Sequence, residues 1–542
     1  MTIFDAQQRR SHYLLVAAIG CALATATPYA SAVLPKTAVV IGDSYASGEG
    51  GRWSGNSFTG INGGDRAGTD RAAEYTAGSW QYDYRVPYMD ASIVNGCNRS
   101  NWAPITYLDK DSGLYPQGFD KVVNLACSGA KSKHLWPIAD GGASFKGESP
   151  QIPRLSNVAA NHDIDLIVIG VGGNDMGFAE VVERCAKAWI GKHTPLTYEE
   201  SCVDQVNDHH LPKLGDVWYN LTKTIRLVHE QMAAINDSSY KIVLMGAPAI
   251  IPRGNKFAYD AGMRRIRNCP FNGPDADYVD DVLLPKLNST MEAVAHQENI
   301  DFINLHNAFD KHRLCESGLG KRVTGALPVN SLNTEWVRYL DTTGLSFNAF
   351  AAAIAKWADL ADGTTIGYVA GDQGTLAESL HPNEFGQRAL GDCLRAYHDV
   401  GNVASRGFKC TAGVSGHASD MKVNILSAPP TITSYVDSAI PDNSSLSIHK
   451  TFSSSAQPGN VMRIELKINH AKKGQLAIKM LSPSGKSYVI KQFNPTDTGA
   501  FPSVYKSFYF NAPAESGTWS LKIEDKVAGV TGTFLDWKAY FY

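Results

Sequence analysis

Acyl transfer by a side-chain oxygen needs a nucleophile, a base and donors for the oxyanion, and this chain offers a candidate for each. Ser44 stands in residues 37–50, TAVVIGDSYASGEG, where a short apolar run stops at Gly42-Asp43-Ser44. A serine is a weak nucleophile until a base takes its proton. Among the 15 histidines, His381 alone has a carboxylate three residues before it, Glu378 in ESLHPN. A turn of that length brings either the Glu378 carboxylate or the backbone carbonyl of the same residue onto the imidazole. Either fixes the tautomer and frees the other nitrogen as base. His306 is the rival base on topological grounds, without a comparable partner. For the oxyanion, Gly129 in ACSGA offers an N–H unobstructed by a side chain, and Asn174 in GGND offers its amide. Each residue also has an ordinary reading: a Gly/Ser turn, a turn glycine, an asparagine capping a helix. What favours a site is that Ser, Gly, Asn and His follow one another at the ends of consecutive elements. Gly48, Gly50 and Gly51 let the backbone approach a bound group, and Glu49 between them is assigned no role.

These residues need a scaffold, and the pattern supplies one. Residues 38–41 (AVVI), 121–126 (KVVNLA), 165–171 (DLIVIGV), 241–245 (KIVLM) and 300–305 (IDFINL) read as short buried strands. The second ends at Cys127-Ser128-Gly129-Ala130 and the third at Gly172-Gly173-Asn174-Asp175. Val217, Leu221, Ile225, Val228, Met232 and Ile235 share one helical face, and Val279, Leu283, Leu287, Met291 and Val294 share another. Strands alternating with helices imply a parallel sheet covered on both faces, with several loops along one edge. Residues 51–118 read as surface loops stapled through Cys97. Residues 316–377 form an aromatic insertion (Trp336, Tyr339, Leu340, Phe347, Phe350, Ile354, Trp357), read as extra core packing in preference to a cap over an apolar pocket. Beyond Cys410, residues 411–429 read as a linker. Alternating runs such as 461–468 and 519–523 then make residues 430–542 a separate antiparallel β-sandwich.

Composition is that of a globular chain, 44% hydrophobic and 19% charged with a net charge of −3 over 542 residues. This balance argues against nucleic acid as the main partner. No later stretch reaches ~18 unbroken apolar residues, so no transmembrane helix is expected. Residues 1–32 read as a signal peptide: Arg9-Arg10, an apolar stretch over 14–24, and the cleavage signal Ala30-Ser31-Ala32. A lipidated Cys21 is the weaker alternative. Eight cysteines then remain, an even number in an exported chain, and they imply four disulfides. Spacing leaves ~105 pairings open. The simplest joins sequence neighbours: Cys97–Cys127, Cys185–Cys202, Cys269–Cys315 and Cys393–Cys410. No C-x-x-C pair occurs, so neither zinc nor a redox role is expected.

GDSY at 42–45, Gly129, GGND at 172–175 and ExxHPN at 378–383 resemble the four blocks of the SGNH/GDSL hydrolase family. GDSYASGEG with ACSGA is most similar to its secreted actinomycete-type esterases and lipases, over roughly residues 37–395. The resemblance implies a flavodoxin-like three-layer α/β/α fold with a parallel sheet, Ser44 as nucleophile and His381 as general base. It also implies an oxyanion hole from the N–H groups of Ser44 and Gly129 with the Asn174 amide, and cofactor-free hydrolysis through an acyl-enzyme. Tyr45 replaces the usual leucine. Glu378 stands at the family's aspartate, a position where some relatives use only a backbone carbonyl. No G-x-S-x-G elbow occurs, which separates the chain from the α/β-hydrolases. The tail resembles the P-domain (P/Homo B), through IPD at 440–442, INH at 468–470 with GQL at 474–476, LSPSG at 481–485, and GTW at 517–519 through GT at 532–533 to Trp537. Gln475 replaces the aspartate common there, so no calcium site is assigned. GKS at 485–487 is no phosphate loop, because residue 480 is Met480 rather than glycine.

The expectation is a secreted serine esterase or lipase acting on acyl esters, with lipid or phospholipid favoured. Its domains are 1–32 signal peptide, 33–410 hydrolase, 411–429 linker and 430–542 P-domain-like sandwich. Expected partners are an ester substrate and a lipid surface, with no cofactor, metal or nucleic acid. The alternatives are a carbohydrate O-acetyl esterase and a non-catalytic adhesion protein using the P-domain; periplasmic and lipid-anchored locations are alternatives to secretion.

Overall fold

The computed structural model describes residues 34–542, apart from 57–69, 78, 84, 90–91, 193–200, 236–238, 261–262, 265–268, 320–329, 340–355, 357–377, 404–405, 430, 453–460, 502–504, 511 and 513–514. The expected signal peptide with Cys21, and Leu340, Phe347, Phe350, Ile354 and Trp357 of the insertion, lie outside the described residues. Trp336 and Tyr339 are buried in the main core.

The chain starts its fold with β1 (Lys36–Gly42), whose residues after Lys36 are all buried, as a strand covered on both faces must be. A short hairpin, β2 (Ala73–Thr76) and β3 (Ser79–Tyr82), precedes β4 (Lys121–Asn124), β5 (Asp163–Gly170), β6 (Lys241–Met245), β7 (Asp301–Asn304), β8 (Gly407–Ala412) and β9 (Met421–Ile425). The main sheet runs β4-β1-β5-β6-β7-β8-β9. Every neighbouring pair is parallel except the last, β8 with β9. The order β4-β1-β5-β6-β7 is the flavodoxin-like arrangement, in which ligands bind where the strand order reverses. Here that point lies beside β1, between the loops that follow β1 and β5.

Helices cover this sheet. α4 (Leu214–Ala234) buries Val217, Leu221, Ile225, Val228 and Met232, the face read from the sequence. It packs against α5 (Leu284–Gln297). The second periodic face is not one regular helix: a π-type turn over Val279–Leu283 precedes α5, just before Pro285, which has no N–H to give the ladder. α6 (Glu384–Val400) packs on the 3-10 turn Pro104–Leu108 and on β9. Each aliphatic side chain such as Val39, Ile41 or Ile167 that leaves water here contributes about 1.5–3 kcal/mol.

Residues 411–429 are not simply a linker. β9 lies within them and adds to the main sheet as its antiparallel edge. It is five residues long and mostly exposed, so it lacks the apolar signature of the central strands. The tail forms two antiparallel four-stranded sheets. One joins β10 (Thr431–Ile440), β17 (Gly532–Phe541), β12 (Met462–His470) and β15 (Tyr505–Phe510). The other joins β11 (Ser445–Phe452), β16 (Gly517–Asp525), β13 (Leu476–Leu481) and β14 (Ser487–Lys491). Trp519, Trp537, Phe534 and Phe541 fill the space between them. A small cluster of Ala293, Val461 and Tyr542 ties α5 to this sandwich.

All four disulfides join sequence neighbours: Cys97–Cys127, Cys185–Cys202, Cys269–Cys315 and Cys393–Cys410. Among the described residues, no helix is long and apolar enough to cross a membrane.

Candidate active site

Ser44 is placed by the end of β1. Gly42 and Gly170 are register partners at the ends of β1 and β5, and a Cβ on Gly42 would fall 2.0 Å from the Gly170 carbonyl oxygen. Only glycine lets the two strands close here. Gln151 holds the strand end, accepting from Gly42 N at 2.7 Å and donating to its carbonyl at 2.9 Å. The chain then turns into α1 (Ser44–Ser47), with Asp43 as N-cap accepting from Tyr45 N at 3.1 Å. Burial pushes the Asp43 carboxyl up to about 7; Asp175 adds repulsion and backbone N–H groups oppose it. Ser44 opens α1, so its own N–H has no partner inside the helix.

His381 meets this serine across 337 residues: Ser44 Oγ lies 2.8 Å from His381 Nε2. Nδ1 is 3.0 Å from the Ser379 carbonyl. A carbonyl only accepts, so Nδ1 carries the proton and Nε2 presents its lone pair to the serine hydroxyl. The loop is held at both ends. Arg338 N donates to the His381 carbonyl at 2.8 Å, Leu380 N donates to the Arg338 carbonyl at 2.7 Å, and Tyr45 OH donates to the Leu380 carbonyl at 3.1 Å. Leu380 takes φ +62°, a left-handed conformation that L side chains avoid. Asn383 caps α6 immediately after, accepting from Phe385 N and Gly386 N.

The expected carboxylate partner is elsewhere. Glu378 is fully buried and its oxygens accept from Trp53 Nε1 at 2.6 Å and from Tyr88 OH, with Arg52 3.8 Å away. Arg52 is itself paired with Asp70. Burial raises the Glu378 pKa, and the Arg52 charge and these two donors pull it back. Glu378 therefore braces the loop from behind, and the neutral Ser379 carbonyl orients the imidazole. The rival base also differs from expectation: His306 does have a carboxylate, Asp280 at 2.9 Å. Ser44, however, is bonded by His381.

Asn174 lies in α2 (Gly173–Met176), nearly buried, and donates one N–H of its amide to the Ala130 carbonyl at 3.1 Å. A carboxamide has two such donors, so the second is free to serve another acceptor. This bond ties the GGND loop to the turn carrying Gly129, which takes φ +81°. Asp175 anchors the loop from the other side, accepting from Ser132 N, Ser132 Oγ and Asn220 Nδ2. Ser44, Asn174 and His381 line one cavity of about 810 Å³ including its open mouth; Gly129 is not among the described lining residues. Asp43 also lines it, and much of the remaining wall is apolar, from Met245, Ala247, Leu287, Met291 and Leu305. Phe178, Pro248 and Leu284 are shared with a second, mostly apolar cavity of about 600 Å³ including its open mouth, reaching Val181, Ile250, Phe271 and Ala276. α3 (Phe178–Lys192) supplies part of that second wall.

Sequence reasoning missed one ionisable group at the site. Glu49 is 2% exposed, and its Oε2 lies 3.5 Å from His381 Nε2. The signal was present as a charged residue between two glycines in the turn after the nucleophile. Among the described residues, no group of three or more His, Cys, Asp or Glu is arranged to hold a metal ion.

Residues 91–322 match the sequence model of the GDSL-like Lipase/Acylhydrolase family, and residues 459–541 match that of the proprotein convertase P-domain. The first span contains Gly129 and Asn174 but neither Ser44 nor His381. Among curated proteins, the chain is 26% identical over 142 residues to a transglutaminase-activating metalloprotease of Streptomyces mobaraensis, covering 26% of this chain and 17% of that one. It is 34% identical over 80 residues to an extracellular basic protease of Dichelobacter nodosus, covering 14% and 13%. The chain thus spans less than a fifth of the length of these relatives. Among solved structures, a serine protease of Aeromonas sobria aligns at 16% identity with a TM-score of 0.16, over 22% of this chain and 28% of that one. The latent PorU dimer of Porphyromonas gingivalis aligns at 8% identity with a TM-score of 0.15, over 21% and 13%. Likenesses this weak carry no argument. A parallel sheet in flavodoxin-like order, sequence blocks at its strand ends and the two matched spans give this chain a region that matches the GDSL-like lipase/acylhydrolase family, followed by a region that matches the P-domain.

Proposed function

We propose that the chain is a secreted serine esterase that hydrolyses carboxylic esters with an extended apolar acyl chain, of the lipid or phospholipid kind. The observation that carries this reading is the 2.8 Å contact between Ser44 Oγ and His381 Nε2 at the end of an apolar cavity. His381 Nε2 takes the Ser44 proton as Oγ attacks the ester carbonyl carbon. The resulting oxyanion accepts from Ser44 N–H, Gly129 N–H and the free Asn174 N–H. Collapse expels the alkoxide, which leaves with the proton from Nε2, and water repeats the path to release the acid. No cofactor enters any of these steps. The acyl chain lies along Met245, Leu287 and Met291, and a long one continues past Phe178 and Leu284 into the second cavity. Export rests on the leader pattern in residues 1–32 and on the four disulfides, which persist in oxidising compartments. We take the sandwich from residue 430 as a distinct module.

The test is a panel of short-chain esters, long-chain esters, phospholipid and acetylated glycan run on wild type beside Ser44→Ala. Ser44→Ala is expected to fold, to lose labelling by a fluorophosphonate probe and to lose at least ~10³-fold in kcat. Undiminished hydrolysis in that variant overturns the assignment, and a preference for acetylated glycan over long-chain ester replaces the substrate class.

A further inference from the structure

The imidazole of His381 is oriented on its Nδ1 side by a neutral carbonyl, and Glu378, the carboxylate nearest in sequence, is committed to Trp53 and Tyr88. The charge that a third member supplies in many serine hydrolases is thus absent from that side. Another carboxylate faces the ring from the opposite side. Glu49 Oε2 is 3.5 Å from Nε2, and among the described residues His381 is the one basic side chain within ion-pair distance of it. Its hydrogen-bond donors are neutral, Asn98 Nδ2 at 2.8 Å on Oε1 and Ser128 Oγ on Oε2, and the buried Lys146 ammonium attracts it from beyond ion-pair distance.

The backbone is built to hold it there. Gly48 and Gly50, at φ +88° and +86°, turn the chain on both sides of Glu49. A Cβ on Gly50 would sit 2.6 Å from the Pro382 carbonyl oxygen and 3.1 Å from His381 Cβ, so this turn lies directly against the histidine loop. Gln387 Nε2 clamps the two together, donating to the Glu49 carbonyl at 2.9 Å and to the Pro382 carbonyl at 3.2 Å. Both donors to the carboxylate adjoin the Cys97–Cys127 disulfide, since Asn98 follows Cys97 and Ser128 follows Cys127. Ser128 N also donates to the Cys97 carbonyl at 3.0 Å. Lys146 Nζ fixes the same corner through the Gly96 and Ser128 carbonyls, at 2.7 and 2.8 Å.

We infer that Glu49 is a positioning residue that supplies the negative charge for His381 from the Nε2 side and, through Ser128, locks the turn carrying Gly129 to the base. The hydrogen bonds to this buried carboxylate come from neutral donors, and the Lys146 ammonium acts on it only through space, beyond ion-pair distance, so its charge is incompletely compensated. When Nε2 takes the Ser44 proton, a positive charge forms 3.5 Å away and completes the pair. This attraction exists only while the imidazolium does, so it lowers the barrier and leaves ground-state binding untouched. The inference rests on the serine-esterase reading above.

The experiment compares wild type, Ser44→Ala, Glu49→Gln and Glu49→Asp in the full chain, using fluorophosphonate labelling rates, kcat and KM on a long-chain ester, and thermal unfolding. If wild type does not label, the esterase reading itself fails. If wild type labels and Ser44→Ala does not, Glu49→Gln is expected to lose about 10²-fold in both labelling rate and kcat with KM unchanged. Glu49→Asp, which keeps the charge, is expected to recover most of that loss. Glu49→Gln with wild-type kcat overturns the inference, as does a folded Glu49→Asp that is no better than Glu49→Gln. Should Glu49→Gln not fold, Glu49→Asp decides: retained kcat supports the role and lost kcat in a folded protein refutes it.

Discussion

Glu378 and Ser379 are neighbours with different tasks, and the difference follows from what each group can satisfy. A buried carboxylate needs donors and a compensating charge; Trp53 and Tyr88 provide the hydrogen bonds, and the Arg52 guanidinium provides the charge from 3.8 Å. A carbonyl needs one donor, which His381 Nδ1 provides. Glu378→Gln should therefore leave kcat close to wild type while lowering stability by roughly 1–3 kcal/mol, read by urea unfolding beside steady-state rates. A collapse of kcat without loss of stability would return the carboxylate to the imidazole. Asp43 gives a pH-dependent prediction. Its carboxyl is raised from 3.8 to about 7, so between those values the folded chain holds a proton that the unfolded chain releases. The stabilising contribution is complete below about 3.8 and is lost as pH rises through about 7. Asp43→Asn keeps a capping oxygen and removes the titration. Its stability relative to wild type should thus rise between pH 4 and pH 8 in unfolding measurements, and a flat difference would contradict the shift.

At the scale of elements, the site is a set of strand ends brought level by register. Gly42 beside Gly170 aligns the loops after β1 and β5, and the Asn174–Ala130 bond joins the loop after β5 to the turn after β4. The central strands were readable because parallel strands are apolar throughout. The sequence reading of 241–245 agrees with β6 residue for residue. β9 was not readable, being a short edge strand with one face open. The apolar cavity wall also belongs to this scale, since it is shared by β6, α5 and the elements around Phe178 and Ala276. Ala276 lines only the second cavity. Ala276→Phe should fill that space, lowering kcat/KM on long-chain esters about tenfold while leaving short-chain rates near wild type. An unchanged chain-length profile would remove the second cavity from the acyl path.

For the whole molecule, two hydrophobic cores match two kinds of sequence texture, helix-and-strand before the tail and alternating strands within it. The sandwich meets α5 through Tyr542 and Tyr540, whose rings lie 5.8 and 5.9 Å from that of His296. Tyr542 is 8% exposed and packs with Ala293 and Val461. Tyr542→Ala should lower thermal stability by about 1–3 kcal/mol through lost aromatic burial and hasten proteolysis near residue 430. Ester hydrolysis should be unaffected, because none of these residues reaches the Ser44 cavity. A parallel loss of kcat would show that the sandwich supports the site.

The sequence by itself determined the parallel sheet and the alternating tail and singled out Ser44, Gly129, Asn174 and His381, while the pairing of the cysteines stayed open until the structure joined neighbours. These are local signals: apolar runs, small-residue turns and a carboxylate three positions from a histidine. Only the tertiary structure decided which groups face the imidazole. Ser44 and His381 are 337 residues apart, and Glu49 reaches the ring through a turn packed against a loop from the far end of the domain. Spacing along the chain favoured Glu378, three residues away. Tertiary packing favoured Glu49, because Glu378 is taken up by donors from Trp53 and Tyr88, which no pattern near residue 378 could place. The choice between two buried carboxylates depends on where their donors lie in space.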